Sequence, residues 1–367
     1  MAAKKSKKSI AYIIFIIIVI LVFYYLKSTE REGELGDDMS FTTISNGNND
    51  TTRLIVMFYN LENFFDTIDD PSNRYDNEYT PSGSKQWNAE RYFRKIKHLE
   101  KVFVNVDPME VPDLIGVCEV ENRKVLEDLV NNTALKGYKI VHYESKDMRG
   151  IDLALLYDPS EFKVLESKKL DIYYKPNRPA RTREIVYIKG QTRNGEVLYI
   201  FLNHWKSRMS RKKGETSEYK RVLAAKSLKK AVHKILENDP NAKIIIMGDF
   251  NDEPNNKSLA QVLNAKQVPK RKTDLYNAMW SLDNQGKGTY FHAHQWLMFD
   301  NIILSGNFVL NGSNLLPEGD GKVLYKNFML KENRKHEKYP LRTFDGSKYL
   351  GGYSDHLPVY IILDVKY

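Results

Sequence analysis

The residues best suited to chemistry stand where apolar runs stop. Ile244 to Met247 is a short apolar run closed by Gly248, which then presents Asp249, Phe250, Asn251, Asp252 and Glu253. Such a run reads as a buried strand bounded by a turn. Asp249 and Asn251 have the spacing of two side chains on one side of an extended segment. Five other runs meet polar residues in the same way. Leu54 to Tyr59 ends at Asn60, with Glu62 behind it. Leu114 to Cys118 ends at Glu119, and Val197 to Leu202 ends at Asn203 and His204. Asp300 opens the run Asn301 to Leu304, and Ser354, Asp355 and His356 open the last one. Taken singly, each end is an ordinary cap or turn, because Asp, Asn, Gly and Ser favour such positions. Six ends converging on one rim would form a site that a rigid scaffold can aim at a substrate. An imidazole there, with an ordinary pKa of ~6.5, can take a proton from water near neutral pH.

The elements that must hold these ends in place follow from periodicity. Strands are predicted over 53–60, 113–120, 138–143, 151–157, 183–189, 196–203, 243–249, 301–304 and 359–365. Helical spacing of Tyr92, Phe93, Ile96, Leu99 and Phe103 predicts a helix over 88–106. Further helices are predicted over 123–130 and 217–236. Many strands with few long helices favour two packed sheets with helices outside over a doubly wound parallel sheet.

The chain has 367 residues, 42% hydrophobic and 28% charged, as a globular protein has. Its net charge is +9, and Lys4, Lys5, Lys7 and Lys8 supply four of those charges. The rest is mildly basic, which suits a phosphate-bearing or polyanionic substrate. Cys118 is the only cysteine, so an intrachain disulfide is excluded.

Ile10 to Leu26 is an unbroken apolar and aromatic run of 17 residues. At ~1.5 Å per residue it spans about 26 Å, close to the ~30 Å hydrocarbon core of a bilayer. Tyr12, Tyr24 and Tyr25 lie near its ends, and Lys27 to Arg31 offers no small-residue cleavage site. An uncleaved single-pass anchor is expected. The lysines before it place the N-terminus in the cytoplasm and the bulk of the chain outside. The expected organisation is a basic tail over 1–9, a transmembrane helix over 10–26, a flexible tether over 27–52 and one catalytic domain over 53–367.

Asn60, Glu119, Asn203-His204, Gly248-Asp249-Phe250-Asn251, Asp300 and Ser354-Asp355-His356 stand in an order and rough spacing that resembles the endonuclease/exonuclease/phosphatase superfamily. The resemblance covers the whole of 53–367. It implies a four-layer α/β/β/α sandwich of two mixed sheets with outer helices. It also implies metal-dependent hydrolysis of phosphate esters by in-line attack of water, usually with Mg2+ and with Mn2+ as a substitute. Glu119 is then the metal carboxylate, with Asn60 beside it and Asp355 as a second contact. His356 is the proton acceptor and Asp300 orients it. Asp249 and Asn251 contact the scissile phosphate and the attacking water, and the proton goes to either Asp249 or His356. His204 and Asn203 stabilise developing charge, and Arg183 holds phosphate. The substrate is expected to be a phosphodiester, nucleic acid included. A phosphomonoester, a lipid phosphodiester or an inactive binding module is the alternative.

Three further features have bland readings beside the sharp ones. Asp152, after Gly150 and Ile151, lines the pocket or supports a histidine. His292 and His294 have no third ligand at metal spacing and read as a polar strand face or substrate wall. Tyr173, Tyr174, Trp205, Lys206, Arg208, Arg211, Lys212 and Lys213 form a basic, aromatic-flanked region that suits a nucleic-acid backbone or a solvated loop.

Overall fold

The computed structural model describes residues 52–365, except 72, 176–177, 209–216 and 311–314. The expected tail, anchor and tether lie outside the described residues, as do Arg211, Lys212 and Lys213. Among the described residues no helix is long and apolar enough to cross a membrane.

Two seven-stranded mixed sheets form the centre. The first contains β1 (Thr52–Phe64), β2 (Leu114–Val120), β3 (Lys139–Tyr143), β4 (Asp152–Tyr157), β12 (Leu315–Pro317), β13 (Lys322–Val323) and β14 (Val359–Val365). Its order is β12-β14-β1-β2-β4-β3, with β13 also on β14. The second contains β5 (Phe162–Leu170), β6 (Ile185–Thr192), β7 (Val197–His204), β8 (Lys243–Asp249), β9 (Ala265–Lys266), β10 (Leu275–Asn277) and β11 (Asp300–Ser305), in the order β9-β10-β11-β8-β7-β6-β5.

Alternation along the strands builds the layers. In β1, Val56 and Phe58 point into the core between the sheets, where they meet Ile200, Leu202, Ile245 and Met247. Ile55, Met57 and Tyr59 point the other way, against Ile96, Leu99 and Phe103 of α1 (Ala89–Phe103) and Val125 and Leu129 of α2 (Arg123–Asn131). In β8, Ile244 and Ile246 face Ala225, Leu228 and Val232 of α3 (Glu218–Asn238). Strands buried on both faces are apolar throughout instead of alternating, as the sequence is. α1 begins where Asn88 accepts the Arg91 N–H, and α2 where Asn122 accepts that of Val125.

β1 runs four residues past its expected end, β6 ends three residues late, and β5 was not expected from sequence; the other expected strand boundaries move by a residue or two, within the spread of cap geometry. One reading fails. His292 ends a short strand, and Ala293 and His294 have φ of +47° and +65°, so they form a hairpin turn. The two histidines therefore share no strand face. His294 Nδ1 instead lies 2.7 Å from Glu337.

Candidate active site

Strand register assembles the first half of the site. β7 and β8 run parallel with Asn203 opposite Gly248 and His204 opposite Asp249. β8 and β11 run antiparallel with Asp249 opposite Asp300. His204, Asp249 and Asp300 therefore stand on one rung across three adjacent strands, pointing to one face. Gly248 makes the rung possible, since a Cβ there would lie 2.2 Å from the Asn203 carbonyl oxygen.

The second half comes from the first sheet, where β1 and β2 lose regular pairing. The β1–β2 register shifts between Asn60 and Phe64, and the β2–β4 register between Cys118 and Val120. Such irregularities re-aim side chains at strand ends. Glu62, Glu119 and Asn251 have φ of +52°, +61° and +50°. That conformation is uncommon without glycine and gathers at functional sites.

These ends meet. Asp249 is at the centre: its Oδ2 accepts from Asn60 Nδ2 at 3.1 Å, and its Oδ1 from the Asn251 backbone N–H at 2.9 Å. His204 Nε2 stands 3.7 Å from both Asp249 Oδ2 and Glu119 Oε1. His356 Nε2 stands 3.8 Å from Asp249 Oδ2, and its Nδ1 lies 2.6 Å from Asp300 Oδ2. Ser354 Oγ donates to the Asn60 carbonyl and accepts from the His356 N–H, which ties the last loop to β1. Tyr290 covers the His356 ring at 4.9 Å.

Burial and charge set the protonation states. Burial, reinforced by Arg183 and Arg149, holds His204 well below the ordinary histidine range. Burial alone would lower His356 too, but Asp300 and Asp249 outweigh it and raise it well above that range. Burial pushes Asp249 up to about 7, against the pull of His356. Asp249 and His356 therefore share their protons as a pair.

Asn60, Glu119, His204, Asp249, Asn251, Asp300 and His356 are thus brought together. Three other predicted residues are placed differently. Asn203 is fully buried; its amide donates to the Phe201 carbonyl and its Oδ1 accepts from the Trp205 indole. Arg183 is also buried. Its Nε donates to the His204 carbonyl, its Nη2 to the Trp205 carbonyl and its Nη1 to Asp147 at 2.6 Å. Arg183 thus holds the His204 and Trp205 carbonyls, and Asn203 holds the Trp205 indole. Asp355 is 2.9 Å from Arg342, which claims its carboxylate. Asp152 supports a histidine, His142, at 2.9 Å. In the basic region, Trp205 is core, and Arg208 is committed to the Asn251 carbonyl and Glu253.

The sequence reading missed a buried charge group under the last loop. Lys95 of α1 is 2% exposed and donates to Thr343 Oγ1 and the Tyr353 carbonyl. Glu62 accepts from the Thr343 N–H and lies 3.4 Å from Arg342. Burial lowers Lys95 to about 8, opposed by Glu62 and Asp355. The signal was present, because Lys95 falls three residues after Tyr92 on the apolar face of α1.

Glu119 has the chemistry of a magnesium ligand. Its Oε2 accepts from the Asn63 N–H, while Oε1 stands 3.7 Å from His204 Nε2. One such carboxylate, completed by water and phosphate oxygens, suits Mg2+.

The domain has known counterparts. Residues 55–365 match the model of the Endonuclease/Exonuclease/phosphatase family. No curated protein matches. Among solved structures, an endonuclease/exonuclease/phosphatase family protein from Bacteroides thetaiotaomicron is 18% identical, with a TM-score of 0.53, over 86% of this chain and 99% of that one. The mannosyl-6-phosphatase Bt3783 of the same organism is 18% identical, with a TM-score of 0.53, over 84% and 99%. A humanized TDP2 from D. rerio is 16% identical, with a TM-score of 0.52, over 85% and 98%. These likenesses agree with the two packed sheets, and the match over 55–365 shows that the chain belongs to the endonuclease/exonuclease/phosphatase family.

Proposed function

We propose that the domain hydrolyses phosphodiesters, nucleic acid or nucleotide in type, by attack of water with Mg2+ or Mn2+. The observation that carries this reading is the contiguous cluster of Glu119, His204, Asp249 and His356, neighbours standing 3.7–3.8 Å apart, with His356 fixed from behind by Asp300 at 2.6 Å. Spaces of that size between polar groups suit phosphate oxygens and an attacking water. Glu119 and Asn60 would hold the cation, which supplies positive charge against the phosphate when bound. The Asp249–His356 pair takes the proton from water, and Asp300 holds the His356 ring in place and balances its charge. His204, buried and neutral, offers Nε2 to a phosphate oxygen without adding net charge. Tyr290 beside His356 provides an aromatic wall for the organic part of an ester.

The test is a panel assayed with Mg2+ and again with EDTA. It holds single- and double-stranded DNA, RNA, a generic aryl phosphodiester, sphingomyelin, inositol phosphates and a sugar phosphate. Cleavage of a diester that disappears with EDTA, and in His356→Ala and Glu119→Ala, is expected. Activity on the monoesters alone would replace the diesterase reading with a phosphatase one. Activity on none of the panel would leave a binding module.

A further inference from the structure

A second cluster of metal-binding side chains lies outside the catalytic one. His142 is on β3, Asp152 opens the adjacent β4, and Glu144 follows β3 directly. One ligand atom from each lies within 4.8 Å of the others. The His142 and Asp152 side chains are 4% and 1% exposed, whereas Glu144 is exposed. His142 Nε2 faces Asp152 Oδ2 at 2.9 Å. Two buried arms and one exposed arm, an imidazole and two carboxylates, make a three-ligand set open to solvent on one side.

The surroundings of Glu144 are acidic on one side, while Lys169 Nζ donates to its backbone carbonyl on the other. Glu144 lines a cavity of about 580 Å3 whose other acidic walls are Asp66, Asp69, Asp70, Glu121 and Asp147. Among the described residues no lysine or arginine lines it. Glu121 is only 7% exposed. Its Oε2 accepts from the Asp66 N–H, and among the described residues no donor meets its Oε1 and no basic group pairs with it. Burial pushes Glu121 up to about 8, so near neutral pH it keeps its own proton. Asp147, by contrast, is held by Arg183 and Arg149.

We propose that His142, Glu144 and Asp152, whose ligand atoms converge within 4.8 Å, bind a divalent transition cation of the Zn2+ or Mn2+ type beside the cavity that Glu144 lines. The imidazole nitrogen favours such ions over Ca2+ and Mg2+, which prefer all-oxygen ligand sets. The cation would sit where His142 Nε2 and Asp152 Oδ2 now meet at 2.9 Å, with the imidazole bound through that nitrogen. Water fills the remaining positions. The ion ties β3 to β4 across the loop 144–151. That loop carries Asp147, which holds Arg183, which in turn holds the His204 carbonyl. The site is therefore a support for the path to the catalytic cluster, separate from the Mg2+ ligands.

The test is equilibrium dialysis of the full-length, EDTA-stripped protein against Zn2+ alone and Mn2+ alone, with the thermal midpoint followed in parallel. The wild type and Glu119→Gln should retain one tight ion that His142→Ala and Glu144→Gln lose, by at least tenfold in affinity, along with its thermal stabilisation. Circular dichroism checks folding; if His142→Ala is unfolded, Glu144→Gln decides, since its side chain is exposed. The proposal is overturned by an unchanged ion count and affinity in Glu144→Gln, by Glu119→Gln removing every bound ion, or by Ca2+ displacing Zn2+ at equal concentration. None of these outcomes depends on phosphodiester cleavage.

Discussion

His356 Nδ1 lies 2.6 Å from Oδ2 of Asp300, and both side chains are buried. The contact fixes the ring so that Nε2 points at Asp249. It also favours the charged imidazole, because a carboxylate beside it outweighs the cost of burial.

Asp300→Asn tests that contact. The amide keeps the shape, loses the charge and leaves the ring free to choose the wrong tautomer. A fall in kcat of about 10²–10⁴ is expected at saturating Mg2+, with KM little changed. Steady-state kinetics on whichever diester the panel yields would check it. A kcat within threefold of wild type would remove Asp300 from the mechanism.

Arg183 separates a positioning role from a phosphate-binding one. Its donors go to the carbonyls of His204 and Trp205 and to Asp147. Arg183→Met should destabilise the fold by about 3–5 kcal/mol, because it leaves Asp147 without its buried partner. Urea denaturation measures this. Intact stability with a raised KM would instead show a phosphate contact.

Much of the fold was legible because buried strands and amphipathic helices announce themselves by pattern. The runs 243–249 and 359–365 became strands with those bounds. The cluster at Asn60, Glu119, His204, Asp249 and His356 was legible because polar residues at the ends of apolar runs have few structural reasons to recur. What the sequence could not convey was direction. Arg183 and Asn203 sit beside the same strand ends, yet their side chains turn to backbone carbonyls and the Trp205 indole. That choice depends on contacts between strands far apart in the chain. Lys95 was hidden for a related reason: a lysine on an apolar helix face is read as solvated until Glu62 is found beneath it. The positive φ at Glu119 and Asn251 is likewise set by packing, since neither residue type demands it.

Asp113 predicts a pH dependence of stability. It accepts the Ile55 N–H at 2.7 Å, and burial pushes it up to about 7. The unfolded carboxyl titrates near ~3.9, so between that pH and about 7 the folded state holds a proton that the unfolded state has released. Its contribution therefore weakens as pH rises through this window and levels off above it. Asp113→Asn, which can still accept from Ile55, should match wild type at pH 4 and exceed it at pH 8 by a few kcal/mol at most, at about 1.4 kcal/mol per unit. Denaturant melts in EDTA at the two pH values decide. An equal difference at both would show that Asp113 does not carry the slope.

Glu119→Gln isolates the catalytic cation. Glutamine keeps an acceptor for the Asn63 N–H and tolerates the +61° φ as glutamate does, so the fold should persist. What is lost is the negative charge of the carboxylate whose Oε1 stands 3.7 Å from His204. The Mg2+ concentration giving half-maximal activity should rise at least about tenfold, equivalent to ~1.4 kcal/mol of binding, with part of kcat restored at saturating Mg2+. Activity of the wild type should vanish in EDTA and return with Mg2+ or Mn2+. If Glu119→Gln shows the wild-type Mg2+ requirement, the ion is held elsewhere. If wild type turns over fully in EDTA, the water is activated by Asp249 and His356 without a cation.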